Sequence, residues 1–122
     1  MANILVADDE PNILKLISFF LKSLGYTVYG AGSGQEALDF FNADPARVDL
    51  VISDLIMPGL SGLELCRELK GRCPVIIVSA MSDDANIARA AEAGAVDFIA
   101  KPYDLEQIKL KLPQILQKSG QS

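Results

Sequence analysis

Short apolar runs alternate along this chain with longer segments in which apolar residues recur at helical spacing, and the alternation occurs five times. Apolar runs of this length, bounded by polar residues, predict strands that are buried on both faces of a parallel sheet. The predicted strands span residues 3–7, 26–29, 49–53, 75–78 and 96–99.

Helix-start and helix-stop residues delimit the first three predicted helices. Pro11 suits the first turn of a helix, and Gly25 should end it. The second helix should open with a capping box made by Ser33 and Glu36 and end near Asn42. The third should run over residues 62–70.

The fourth and fifth predicted helices are less regular. The fourth, residues 83–93, is rich in alanine and has only Ile87 as a large apolar anchor before Gly94 ends it. Its thin burial suits an element that moves. The fifth should start near Asp104, and Pro113 should kink or interrupt it.

This order of elements predicts an α/β fold. Alternating strands and helices give a doubly wound, five-stranded parallel sheet with five helices on its two faces. The expected strand order is 2-1-3-4-5, which is the flavodoxin-like arrangement. With 122 residues, we expect one domain over residues 1–122.

Composition narrows the class of function. The formal net charge of -5 disfavours direct binding of nucleic acid or of an anionic membrane. Cys66 and Cys73 do not form a CxxC pair and histidine is absent, so a zinc site is not expected. No signal peptide or bilayer-length apolar run is apparent, and a cytoplasmic location is expected.

Charged and hydroxyl side chains stand at the ends of four of the apolar runs. In open α/β sheets, ligand sites form beyond the carboxyl ends of the strands, which is where these side chains would lie. Asp8 and Asp9 end the first strand and Asp54 the third; Ser79 ends the fourth and Lys101 the fifth. Oxygen ligands of this kind select Mg²⁺, with Mn²⁺ as a second possibility. Metal, lysine and hydroxyl together suit a phosphoryl group.

Each of these residues also has a purely structural explanation when taken alone. Asp8 and Asp9 suit the cap of the first helix, and Asp54 suits a loop cap. Lys101 suits a solvated surface position, and Ser79 suits a turn. The joint occurrence at four of five strand ends favours a site.

The chain closely resembles the receiver domain of two-component response regulators over nearly its whole length. The resemblance rests on these motifs: Asp8-Asp9, Asp54-Leu55-Ile56-Met57-Pro58 with Gly62, Ser79-Ala80, Gly94-Ala95 and Lys101-Pro102.

The resemblance implies that Asp54 accepts a phosphoryl group from a phosphohistidine of a sensor histidine kinase or phosphotransfer protein. It implies that Asp9, Asp54 and the backbone carbonyl of Ile56 bind Mg²⁺, with Asp8 acting partly through water. Lys101 would hold the acyl phosphate, and Ser79 would move toward it.

Further roles follow from the same resemblance. Phe98 would be the aromatic switch, and the Lys101-Pro102 bond would be cis. The fourth helix, fifth strand and fifth helix would form the surface that controls an effector protein or domain. Ile56 and Met81 would flank the approach of water to phosphorus.

The resemblance also bears on assembly. In the winged-helix transcription-factor subfamily of response regulators a dimer face is built on salt bridges, and Val96 and Gln107 replace two of its acids here. We therefore expect a monomer when the protein is unphosphorylated.

Two alternative functions compete with this one. A Mg²⁺-dependent phosphatase with an aspartyl nucleophile is the main alternative, but it requires a general acid at the position of Ile56. A flavin binder requires a phosphate loop where Asp8, Asp9 and Glu10 stand.

Overall fold

The computed structural model describes residues 2–81, 83–101 and 105–118. It contains five strands, β1 (Asn3–Ala7), β2 (Thr27–Ala31), β3 (Leu50–Asp54), β4 (Val75–Ser79) and β5 (Asp97–Ala100). Five α-helices alternate with them: α1 (Pro11–Ser23), α2 (Gly34–Ala43), α3 (Gly62–Leu69), α4 (Asp84–Ala93) and α5 (Leu105–Lys118). A short 3₁₀ helix, Pro45–Arg47, precedes β3.

The strands form one parallel sheet in the order β2-β1-β3-β4-β5, so the predicted fold class and strand order are confirmed. On one side of β1, Ile4 pairs with Val28 of β2; on the other side, it pairs with Leu50 of β3. Every residue of β3 and β4 is buried, as expected for the centre of a sheet that is covered on both faces.

The sheet separates two hydrophobic clusters. Side chains alternate between the faces of a strand, and in β1 Leu5 points into one cluster whereas Ile4 points into the other. The first cluster, with Phe41, Leu65 and Ala90, lies under α2, α3 and α4. The second lies under α1 and α5 and includes Ile17, Leu21, Ile108, Leu112 and Leu116.

The predicted capping box at the start of α2 is only half formed. The Ser33 hydroxyl accepts a hydrogen bond from the Glu36 backbone N–H at 3.1 Å. The Glu36 carboxylate, however, accepts from the Gly32 N–H at 3.0 Å and not from Ser33. The reciprocal pair forms at α3, between Ser61 and Glu64.

Helix α4 is held by small side chains. Asp83 caps its first turn through the Asn86 N–H, and Gly94 ends it with a φ of 106°. Its buried residues are Ala90 and Ala93, whereas Ile87, the predicted anchor, is 40% exposed. The expected thin burial is present, but Ile87 does not supply the burial.

Helix α5 continues through Pro113, so the predicted interruption is wrong, whereas the kink offered beside it stays a prediction. Pro113 is exposed, and its ring therefore projects away from the second cluster. The predicted start at Asp104 lies outside the described residues. Within the described part of the chain, no helix has the length and apolar character needed to cross a bilayer.

Candidate functional site

Four strand ends bring polar side chains to one edge of the sheet. The backbone N–H of Asp8 donates to Ala31 of β2 at 3.1 Å, which fixes Asp8 just beyond β1. Asp54 is the last residue of β3 and Ser79 the last of β4. The N–H of Lys101 donates to the Ser79 carbonyl at 2.9 Å, so Lys101 continues from β5 beside them.

The lysine side chain reaches across the sheet edge to both aspartates. Lys101 Nζ lies 2.9 Å from Asp54 Oδ2 and 3.6 Å from Asp8 Oδ2. Asp8 and Asp54 are only 1% and 7% exposed. Buried carboxylates are costly without a compensating charge, and one ammonium here faces two of them.

The capping explanation for Asp8 and Asp9 does not match the structure. The N-cap residue of α1 is Glu10, and its side chain makes no cap hydrogen bond. The Asp8 carboxylate instead accepts a hydrogen bond from the Glu10 N–H at 2.9 Å. Its contact with Lys101 shows that the Asp8 carboxylate also faces the other strand ends.

The geometry also includes a carboxylate that the sequence analysis missed. Oxygens of Asp8, Glu10 and Asp54 all lie within 4.8 Å of one another. Asp9 is exposed and lines the same cavity, but it does not belong to this group of three. The acidic run 8–10 was a usable signal, but a strand pattern alone does not show which carboxylates turn inwards.

The donor set fits a hard divalent cation. Mg²⁺ and Mn²⁺ prefer carboxylate, carbonyl and water oxygens, and the three grouped carboxylates offer only oxygen. Their negative charge exceeds the single charge that Lys101 brings to them. A dication would remove the remaining repulsion.

The pKa values in the site follow from burial and neighbouring charge. Burial raises the pKa of the Asp54 carboxyl, Lys101 lowers it in part, and the Asp8 charge raises it again. Burial by itself lowers the pKa of Lys101, but the hydrogen bond to Asp54 and the nearby acids outweigh it and raise the pKa overall. The shift of Lys101 favours its protonated form, whereas burial first, and the charge of Asp8 in addition, disfavour the charged form of Asp54.

Ser79 and two apolar residues complete the surroundings. The buried Ser79 hydroxyl accepts a hydrogen bond from the Met81 N–H at 2.9 Å. Ile56 and Met81 are 55% and 53% exposed. Both line the cavity of about 350 Å³ that also contains Asp54 and Lys101.

Phe98 is not brought into this cavity. It is half-buried and packs against the first cluster. It also lines a separate groove of about 270 Å³ between α4 and β5, together with Ile87 and Ala90. The predicted cis bond before Pro102 lies outside the described residues.

A sequence profile of the response regulator receiver domain matches residues 4–113. The chain belongs to this family. As a receiver domain it has relatives in Bacillus subtilis and Staphylococcus aureus. It is 34% identical to the transcriptional regulatory protein ResD of B. subtilis, over 98% of this chain and 50% of that protein. It is also 34% identical to the response regulator ArlR of S. aureus, over 99% of this chain and 55% of that protein.

The receiver domain thus spans about half the length of these curated relatives. Solved structures match it over nearly their full length. A response regulator receiver domain protein from Clostridium thermocellum has a TM-score of 0.91 and 34% identity, covering 98% of this chain and 97% of that one. The chemotaxis protein CheY4 of Vibrio cholerae has a TM-score of 0.86 and 28% identity, covering 94% and 98%.

Proposed function

We propose that this receiver domain is a phosphoacceptor switch in which Asp54 takes a phosphoryl group from a phosphohistidine. The donor would be a sensor histidine kinase or a phosphotransfer protein in the cytoplasm. The observation that carries the proposal is the contact of 2.9 Å between Lys101 Nζ and the Asp54 carboxylate, beside the buried carboxylate of Asp8.

The transfer itself requires a nucleophile and charge compensation. An Asp54 oxygen forms a bond to phosphorus while the bond from phosphorus to the donor imidazole nitrogen breaks, and the imidazole keeps the electron pair. Lys101 would then pair with a phosphoryl oxygen, since its ammonium already lies beside the acceptor. The cavity around Asp54 leaves room for this group.

A divalent cation would be held by Asp8, Asp9, Asp54 and the backbone carbonyl of Ile56. When bound, Mg²⁺ would supply positive charge for the phosphoryl oxygens. The carboxylate grouping of Asp8 and Asp54 supports this assignment, and the position of Asp9 along the cavity is compatible with it.

The switch would run from Ser79 to the surface of α4, β5 and α5. Ser79 leaves its bond to the Met81 N–H and turns to the phosphoryl group, and Phe98 then rotates inwards. The support is positional, because Phe98 lines the groove beside α4, whose buried side chains are small. The altered surface would control an effector protein or domain.

The phosphatase alternative lacks a general acid at the position where its mechanism requires one. A general acid two residues after Asp54 would protonate the leaving group. Ile56 stands there, exposed at the cavity, and its side chain has no proton to give.

The test is phosphorylation by a small donor. With acetyl phosphate and Mg²⁺, intact-protein mass spectrometry should show one added phosphoryl group in the wild type and none in Asp54→Asn. Asp39→Asn, an exposed aspartate on α2, is the matched control and should label normally. Undiminished labelling of Asp54→Asn would sink the assignment of the acceptor.

A further inference from the structure

Glu10 occupies an unusual place for a residue at a helix start. It lies between the end of β1 and Pro11, the first residue of α1, and its side chain makes no cap bond to the helix. Its backbone N–H donates to Asp8 Oδ1 at 2.9 Å. The backbone of Glu10 is therefore tied to the most buried carboxylate of the site.

The Glu10 carboxylate is placed by the same arrangement. One of its oxygens lies within 4.8 Å of carboxylate oxygens of both Asp8 and Asp54. Like charges at this separation repel one another unless a cation joins them. Lys101 contacts Asp54 and Asp8 and also interacts electrostatically with Glu10, so one ammonium is shared among three acids.

We propose that Glu10 is a further carboxylate ligand of the divalent cation, in addition to the aspartates assigned above. The inference rests on the proposed function only in requiring a cation at this edge of the sheet. Glu10 is exposed, whereas Asp8 and Asp54 are buried, so it binds the cation from the solvent side of the cavity. Its role is to raise the affinity for Mg²⁺ and not to receive the phosphoryl group.

Calorimetric titration with MgCl₂ tests the assignment on the whole chain. Glu10→Gln removes the charge and keeps the shape of the side chain. Glu92→Gln removes the same charge from the exposed surface of α4 and is the matched control. Circular dichroism should show that both variants keep the fold, since both side chains are exposed.

Varying the ionic strength distinguishes direct coordination of Mg²⁺ by Glu10 from a long-range electrostatic effect of its charge. In 0.1 M KCl, Glu10→Gln should weaken Mg²⁺ binding threefold or more, and Glu92→Gln should change it less than 1.5-fold. In 1 M KCl, where the screening length is about 3 Å, the threefold effect of Glu10→Gln should persist. A smaller effect in 0.1 M KCl, or its loss in 1 M KCl, would overturn the proposal.

The two proposals fail in different ways. If Glu10→Gln binds Mg²⁺ like the wild type while Asp54 still labels with acetyl phosphate, only the Glu10 assignment is overturned. If Mg²⁺ affinity falls as expected but the wild type never labels, the Glu10 assignment stands and the phosphoacceptor function is lost.

Discussion

Ile56 and Met81 are the two residues that should control how long the phosphorylated state lasts. Both side chains line the cavity that contains Asp54, and both are about half exposed. Hydrolysis of an acyl phosphate needs a water molecule in line with phosphorus. Apolar side chains exclude that water by volume and offer it no hydrogen bond, so the phosphorylated state should be long-lived.

Polar replacements at both positions should shorten this lifetime. In Ile56→Asn combined with Met81→Glu, the new side chains can hold a water, and loss of the phosphoryl group should accelerate more than twofold. Mass spectrometry after removal of the donor measures the rate. An acceleration below twofold, a barrier change of only ~0.4 kcal/mol, would mean that these positions do not gate hydrolysis.

Cys73 makes stability depend on alkaline pH. Burial, followed by the nearby charge of Asp49, raises the pKa of its thiol from 9.0 to about 12. A raised pKa means that the folded state keeps the proton while the unfolded chain releases it. The stabilisation is complete below pH 9 and is lost as the pH rises from 9 towards 12.

Urea denaturation at pH 8 and pH 10 measures this loss. The wild type should lose about 1 kcal/mol more of its unfolding free energy over this range than Cys73→Ala. Tyr26 and Cys66, whose pKa values burial also raises, are present in both proteins and cancel in the comparison. Equal losses would contradict the argument.

At the scale of elements, the start of α3 packs tightly against the end of β3, which carries the proposed acceptor Asp54. The N–H of Gly62 donates to the Leu55 carbonyl at 2.9 Å. A Cβ added at Gly62 would collide with the backbone carbonyl oxygen of Asp54. The helix can pack here only because residue 62 has no side chain.

Gly62→Ala should therefore destabilise the domain by about 1–3 kcal/mol, the usual cost of overpacking. It should also slow labelling by acetyl phosphate, because Asp54 must shift. Gly32→Ala is the control, since its Cβ would meet only the Glu36 carboxylate at 3.6 Å. Equal urea midpoints for the two variants would refute this tight packing.

The elements were predictable where the signal was local. Apolar runs located all five strands, and Gly94 located the end of α4. Pro113 misled because one missing hydrogen bond on an exposed face does not outweigh the burial of Ile108 and Leu112 on the other.

The site was predictable only as a set of strand ends. That set placed Asp8, Asp54, Ser79 and Lys101 along one edge. It did not reveal that Glu10 joins Asp8 and Asp54 while Asp9 stays outside their group, because that choice depends on backbone turns after β1. For the same reason the sequence predicted a bond between the Glu36 carboxylate and the Ser33 N–H, whereas the structure has this carboxylate accept from the Gly32 N–H.

At the scale of the whole molecule, the sheet separates two layers of side chains, and a movement in one layer need not disturb the other. Phe98 packs on the first cluster, as do Ala90 and Ala93 of α4. Ile17 and Leu21 of α1 lie in the second cluster, across the sheet. A displacement of Phe98 can reach α4 without passing through the layer beneath α1.

Binding of beryllofluoride with Mg²⁺, a mimic of the phosphoryl group, should show this asymmetry by NMR. Large shifts are expected at the site, in residues 87–94 and from Phe98 onwards. The methyl groups of Ile17 and Leu21 should change little and serve as the internal control. Shifts confined to residues that touch the ligand would argue against a switch.

The alternation of Leu5 and Ile4 between the two clusters also has a consequence for how such a domain diversifies. Substitutions that share no neighbours add in free energy, whereas those in contact interact. A change under α2, α3 or α4 should therefore need compensation within its own cluster and not across the sheet. The face of α4, one part of the proposed output surface, could therefore change together with its own layer while the layer beneath α1 and α5 keeps its sequence.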